Sequence, residues 1–163
     1  MPPRDEVDRI VEAWTRERPD LDFSPLHVLS RVGRLAKHLE RARKVAFAVS
    51  GLEPWEFDVL SALRKAGTPY QLSPTALVQQ TMVSSGTMTN RIDRMVSRHL
   101  VERRTDPNDG RGVIVAMTKT GRERVDGAIT SLVQAETQLL TRMSASEQER
   151  LSSLLRKLSL DGE

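Results

Sequence analysis

The sequence predicts a mainly α-helical chain carrying one small β-ribbon, and three observations point there. Apolar residues recur at three- and four-residue intervals through most of the 163 positions, the spacing of buried helical stripes. Capping pairs such as Ser24-Pro25, Glu53-Pro54 and Ser73-Pro74 open successive periodic segments. Alternation with a period of two occurs on either side of a turn-forming Asp106-Pro107-Asn108-Asp109-Gly110, which reads as a hairpin.

Composition narrows what such a chain can be. Its length fits one domain of roughly 100–200 residues, residues 1–163, with helices at both ends that serve mainly dimerisation (1–50 and 119–163) and a central unit at 52–118. A hydrophobic share of 38% with 4% aromatics suffices for one compact helical core, which a second subunit would complete. The net charge of +3 permits nucleic-acid binding, so the position of the basic residues matters more than their sum. Absence of cysteine excludes disulfides, thiolate metal sites and a cysteine redox switch. No run approaches the ~18 apolar residues of a membrane span, and MPPRDEVDRIVEAW lacks the apolar core of a signal peptide. A soluble, cytoplasmic protein is therefore expected. His27, His38 and His99 are scattered, no acids are paired at a working spacing, and no glycine loop could cradle phosphate, so neither an enzyme nor a metal or cofactor site is expected.

Taken in order, Asp5 to Arg18 places Val7, Ile10, Val11 and Trp14 on one helical face, ended by Pro19. Trp14 reads as an anchor in helix packing or as the wall of a ligand pocket. Ser24 and Pro25 open a long helix to about Val49, with Leu26, Leu29, Val32, Leu35 and Leu39 along its spine. Its basic outer face, Arg31, Arg34, Lys37, Arg41, Arg43 and Lys44, is expected to be solvated. A third helix from Glu53 and Pro54 to Gly67 carries Trp55, Phe57, Val59, Leu60, Ala62 and Leu63 around most of its girth. Asp58 sits among them, and an enclosed carboxylate requires a cation or several donors.

Ser73 and Pro74 start a short fourth helix, and Thr81, Met82 and Val83 make a turn. Ser84 then caps a fifth helix through SSGTMTNRIDRMVSRHL. With Met88 at 0° and 100° per residue, Met88, Ile92, Met95 and Val96 cluster near about 25°, leaving Thr87, Asn90, Asp93, Arg94 and Ser97 on the opposite face. Small polar and basic groups at the start of a helix can donate to phosphates and read base edges in a major groove. The ribbon that follows has Val113, Val115 and Met117 alternating inward and Arg103, Arg104 and Arg111 on a thin projection, with Asp109 placed to pair with Arg111. Helix, turn, helix and ribbon together make a winged helix-turn-helix. Thr118 then caps a long helix, and Ser144 with Glu147 forms a capping box for the last one.

These residues carry a family resemblance. Over nearly its full length, and above all through LSPTALVQQTMVSSGTMTNRIDRMVSRHLVERRTDPNDGRGVIVAMTKTG, the chain resembles the MarR family (multiple antibiotic resistance regulators). The resemblance implies a homodimer held by terminal helices, with recognition helices in successive major grooves of double-stranded DNA. It implies DNA contacts from Ser85, Thr87, Thr89, Asn90 and Arg94, and from Arg111 in the wing with Asp109 orienting it. The helical wheel independently selects Thr87, Asn90 and Arg94.

The chain further resembles the urate-responsive subgroup, which adds an N-terminal helix with a Trp, an Asp in the enclosed helix and an Arg in the recognition helix. The matching positions are Trp14, Asp58 and Arg91, with Arg103 on the first wing strand. Arg91 falls at about 300° on the wheel, on the flank between core and DNA face, from which it could reach Asp58. The resemblance implies a small anionic effector, urate-like or an aconitate- or citrate-type acid; a plain Asp58–Arg91 salt bridge is the alternative. The function that follows is a ligand-responsive repressor on a palindromic operator. A non-specific architectural DNA-binding protein is the competing reading, which leaves Trp14 and Asp58 without a role.

Overall fold

The structure is a computed structural model and describes residues 3–160; the outermost residues of the two expected dimerisation segments lie outside that range. The described residues fall into two compact units, one reaching to Arg43 and one beginning at Lys44.

The first unit holds α1 (Glu6–Glu17) and most of α2 (Ser24–Ala48). Asp5 caps α1 by accepting the N–H groups of Val7 (2.8 Å) and Asp8 (3.1 Å), while the Asp8 carboxylate takes the Asp5 N–H at 3.0 Å. This reciprocal cap is one the sequence reading did not foresee. Val7 and Val11 are buried as their stripe predicts. Trp14 is not: it is 51% exposed and stacks on Phe23 with ring centroids 6.0 Å apart, so solvent can satisfy its indole N–H. Ser24 lies inside α2 rather than capping it, because the Asp22 carboxylate accepts its N–H (2.9 Å) and its hydroxyl (2.8 Å). Two of the arginines expected to be solvated are engaged. Arg31 donates to Asp5 and Asp8 at 2.8–3.0 Å, and Arg34 donates to Glu6 at 2.7 Å.

The second unit contains the end of α2, then α3 (Pro54–Lys65), β1 (Gln71–Leu72), α4 (Pro74–Thr81), α5 (Ser85–Ser97), β2 (Val101–Asp106), β3 (Asp109–Met117), α6 (Lys119–Leu140) and α7 (Ala145–Leu160). The strands form an antiparallel sheet in the order β1-β3-β2. The expected ribbon is present, but β1 is an addition: two residues are too short to show alternation, and Gln71 and Leu72 are strand only because Ala116 and Val115 pair with them. Inward alternation on β3 also gives way. Val115, Ala116 and Met117 are all buried, whereas Val113 is 44% exposed, since the tip of the hairpin runs beyond the core.

That core is made by Phe47, Leu60, Leu63, Leu77, Met88, Ile92, Met95 and Leu100, all essentially without exposure, with Phe47 stacked on Phe57 at 3.9 Å. Its tightest point is Gly121 in the first turn of α6, where a Cβ would stand 2.2 Å from the Leu100 carbonyl oxygen. Thr118 secures the same place: its hydroxyl accepts the Gly121 N–H at 3.0 Å and donates to the carbonyls of His99 and Leu100 at 2.7 and 3.0 Å.

The enclosed carboxylate of α3 is Glu56, not Asp58. Asp58 is exposed, lying about 200° from Glu56 on the wheel and opposite Leu60 and Leu63. Glu56 is 0% exposed. Both of its oxygens accept from Arg98 Nη1, and Oε1 also takes the Glu53 N–H at 3.0 Å. Arg98 further donates to the Gly51 carbonyl at 2.8 Å. Removing the cation would strand a buried charge, which costs roughly 3–5 kcal/mol in fully enclosed pairs. Since Arg98 keeps 41% side-chain exposure, water can relieve part of that cost. Arg98→Ala is therefore expected to lower unfolding stability by about 3 kcal/mol, the lower end of that range, and Glu56→Gln by less, both read by urea denaturation; an unchanged midpoint for Arg98→Ala would contradict this role.

Candidate nucleic-acid interface

The helix-turn-helix is built by α4, a three-residue turn of Met82, Val83 and Ser84, and α5. Thr81, expected in the turn, still belongs to α4, and Met82 reverses the chain in the left-handed region at φ 52°. Ser84 then caps α5, accepting the Thr87 N–H at 3.2 Å and donating to the Thr87 hydroxyl at 2.9 Å. Met88, Ile92 and Met95 are buried, and Ser85, Thr87, Thr89, Asn90 and Arg94 are all exposed. The Thr89 hydroxyl donates to the Ser85 carbonyl at 3.0 Å, leaving its oxygen free to accept. Thr87, whose oxygen already accepts from Ser84, keeps its own proton to donate.

Beside this face stands Trp55, whose role the sequence did not reveal. The Arg94 guanidinium carbon lies 4.8 Å and that of Arg91 5.7 Å from the centre of its ring, within cation–π range. The indole N–H donates to Glu53 at 2.6 Å. Trp55, Gly86, Thr87, Asn90, Arg91 and Arg94 line an open groove of about 460 Å³. Periodicity marks Trp55 only as another apolar residue of α3; that it reaches the flank of α5 is a fact of tertiary packing.

In the wing, the Asp106 carboxylate accepts the Asn108 N–H at 2.8 Å. The expected carboxylate–guanidinium pair of Asp109 and Arg111 is replaced by a backbone contact: Asp109 accepts the Arg111 N–H at 3.1 Å. Arg111 stays exposed. Arg104 is paired along its own strand with Glu102, its Nε at 2.7 Å. Arg103 crosses from β2 to Asp93 on α5. Asp93, placed on the outer face by the wheel, thus ties the wing to the recognition helix.

Of the four residues matched to an effector, Trp14 lies in the first unit and Asp58, Arg91 and Arg103 in the second. Arg91 is over Trp55, Arg103 is paired with Asp93, and no hydrogen bond or ion pair joins Asp58 to Arg91. The alternative of a plain Asp58–Arg91 salt bridge is thus not made in this chain: Asp58 is exposed on the side of α3 opposite its buried face. Sequence reasoning also missed a cluster below the interface: Arg64 and Arg122 lie 5.1 and 5.0 Å from the Tyr70 ring centre, and Arg64 donates to Asp126 at 2.8 Å. A hydrogen bond with Thr68, followed by these two cations, holds the Tyr70 phenol below its usual pKa. Among the described residues there is no cluster of three or more His, Asp or Glu suited to a metal ion, and no helix long and apolar enough to cross a membrane.

A recognition helix with an exposed polar face, backed by a helix and flanked by a basic two-stranded wing, defines a winged helix-turn-helix DNA-binding protein. The sequence profile of the MarR family matches residues 50–112, from the turn before α3 to the wing. The HTH-type transcriptional regulator PecS of Dickeya dadantii is 33% identical over 150 residues, 92% of this chain and 90% of the relative. The chain belongs to the MarR family of transcriptional regulators. Among solved structures, an Escherichia coli MarR variant complexed with operator DNA superposes with a TM-score of 0.67 at 27% identity, covering 85% of this chain and 99% of that one. BpsR of Bordetella bronchiseptica, whose DNA binding is regulated by 6-hydroxynicotinic acid, superposes with a TM-score of 0.59 at 28% identity, covering 78% and 92%.

In the first unit, charge fastens α1 to α2. The Arg31 hydrogen bond holds the Asp5 carboxyl below the usual range, and the Asp5 backbone N–H, followed by Arg31, does the same for Asp8. A carboxylate with a lowered folded-state pKa stabilises fully above the unfolded value of about 3.9 and ceases to as pH falls through the lowered one. In a Trp55→Phe, His27→Gln background, which removes the imidazole 3.7 Å from Asp8, Trp14 emission should hold constant from pH 7 to 5 and shift only below about pH 4, while adding Arg31→Ala should shift it already at pH 7. A shift between pH 7 and 5 in that background would contradict this.

Proposed function

We propose that this regulator is a repressor that binds a palindromic operator as a homodimer in the cytoplasm and is released by a small anion, urate-like or an aconitate- or citrate-type acid. The observation that supports it most is the exposed face of α5. Asn90 has the paired donor and acceptor that suit adenine, Arg94 the fork that suits guanine O6 and N7, and Ser85, Thr87 and Thr89 add short hydroxyls for phosphates. Arg111 at the tip of the wing, its loop set by Asp109, is placed for an adjacent minor groove.

Dimerisation draws support from apolar side chains left in solvent: Val28, Leu29 and Leu35 on α2, and Leu154, Leu155 and Leu158 on α7. Stripes of this kind are stabilised by burial at about 25 cal/mol per Å², and a two-fold axis would space the recognition helices by roughly 34–36 Å. The effector reading rests on Arg91 and Arg103, with Trp14 and Asp58 assigned by resemblance. Arg91 shares a helix with Asn90 and Arg94, and an anion captured by Arg103 competes with Asp93 for it. Binding would thereby favour a different placement of wing against helix, the differential interaction a ligand-driven shift requires.

On a duplex selected from a random pool, Asn90→Ala with Arg94→Ala should cost at least about 30-fold in affinity, two base contacts at about 1 kcal/mol or more each, while weak, sequence-indifferent binding persists in gel-shift assays. Parent protein binding every duplex equally would favour the architectural reading instead. In thermal-shift assays, urate or one of the tricarboxylic acids should raise the midpoint of the parent protein, and Arg91→Ala should abolish that rise while leaving the ligand-free midpoint in place. If none of these anions moves the midpoint or the DNA affinity, the effector assignment is wrong.

A further inference from the structure

We infer that Glu53 is a specificity-determining residue, its carboxylate standing in for a DNA phosphate at Arg94 in the free protein. The inference rests on the reading above that Arg94 faces DNA.

The first ground is where Glu53 points one of its oxygens. It occupies the N-cap of α3, in a capping box with Glu56. Its Oε2 takes the Trp55 indole N–H at 2.6 Å and stands 3.8 Å from Arg94 Nη2. The second ground is the shared platform: the ring that Glu53 orients is the one over which the Arg94 guanidinium lies, at 4.8 Å. Glu53, Trp55 and Arg94 thus form one chain of contacts at the edge of the groove lined by Thr87 and Asn90.

The third ground is energetic. Glu53 and Arg94 are both about 60% exposed and too far apart for a hydrogen bond, so the pair contributes little to folding. Its place on the interface gives it another consequence. A phosphate drawn to Arg94 in its resting position meets the Glu53 carboxylate at short range. An Arg94 extended to a base edge leaves that carboxylate behind. Non-specific complexes, held by phosphates alone, are penalised more than the complex that reads bases, a repulsive contribution to specificity.

Glu53→Gln removes the charge and keeps an oxygen for the indole N–H. Affinities for a selected duplex and a scrambled one, measured by fluorescence anisotropy at one fixed salt concentration, test the inference. Glu53→Gln should tighten binding to the scrambled duplex by about 3–5-fold, the scale of an exposed ion pair, and to the selected duplex by less than about 2-fold. In an Arg94→Ala background the same substitution should change neither. Equal tightening on both duplexes, or tightening that survives Arg94→Ala, would make Glu53 one diffuse charge among many and overturn the inference. No change on either duplex would overturn it too, while leaving the Arg94 reading intact if Arg94→Ala alone weakens binding. If Arg94→Ala weakens neither duplex, the reading of the DNA face fails and the inference falls with it. Equal melting temperatures for parent and Glu53→Gln exclude a folding defect.

Discussion

A carboxylate sealed from water is tolerated only with a cation and further donors around it, and the second unit is arranged to supply both to Glu56. Arg98 comes from the C-cap of α5, the remaining donor from the Glu53 backbone at the start of α3. Through its second nitrogen Arg98 also holds the Gly51 carbonyl, to which Arg124 of α6 donates at 3.3 Å. Gly51 itself has φ +68°, a conformation a side chain would strain. One end of the recognition helix is thereby fixed to the turn before α3 and to α6, and its other end, with the hydroxyls and the amide, is left facing solvent.

Trp55 and Glu56 are neighbours in sequence and do opposite things. Successive helical residues diverge by 100°, so Glu56 points to the C-terminal end of α5 from within while Trp55 lies against the flank that carries Arg91 and Arg94. A single turn of α3 positions both the framework of α5 and its charged edge. The Asp93–Arg103 pair does for the wing what Glu56–Arg98 does for the helix, though at the surface, where an ion pair is weak and easily exchanged.

The helix-turn-helix and the hairpin were legible because each is local: caps, turn residues and a stripe of period 3.6 lie within one segment. The split of α5 into a buried side and a polar side followed from the same arithmetic. What could not be read were contacts between segments. Asp58 has apolar neighbours in sequence, but the wheel of α3, itself local, turns it outward and Glu56 inward; only the partner of Glu56, 42 positions away, lay beyond the sequence. Arg103 and Asp93 carry no mutual signal, and β1 exists only through its neighbour. Placing Asp109 against the Arg111 side chain followed from spacing, but the backbone N–H was the nearer donor.

The pairing of arginines inside the proposed interface bears on how ions would partition when DNA binds. Arg94 has Glu53, Arg103 has Asp93 and Arg104 has Glu102 as carboxylate neighbours, whereas the Arg111 guanidinium is unneutralised. A duplex that takes over a paired arginine sheds a condensed cation, but it also sets free a carboxylate that gathers cations of its own. The net release per arginine is then smaller than for a bare cation on the same surface, and the affinity of this protein should fall less steeply with added salt than a count of its interfacial arginines implies.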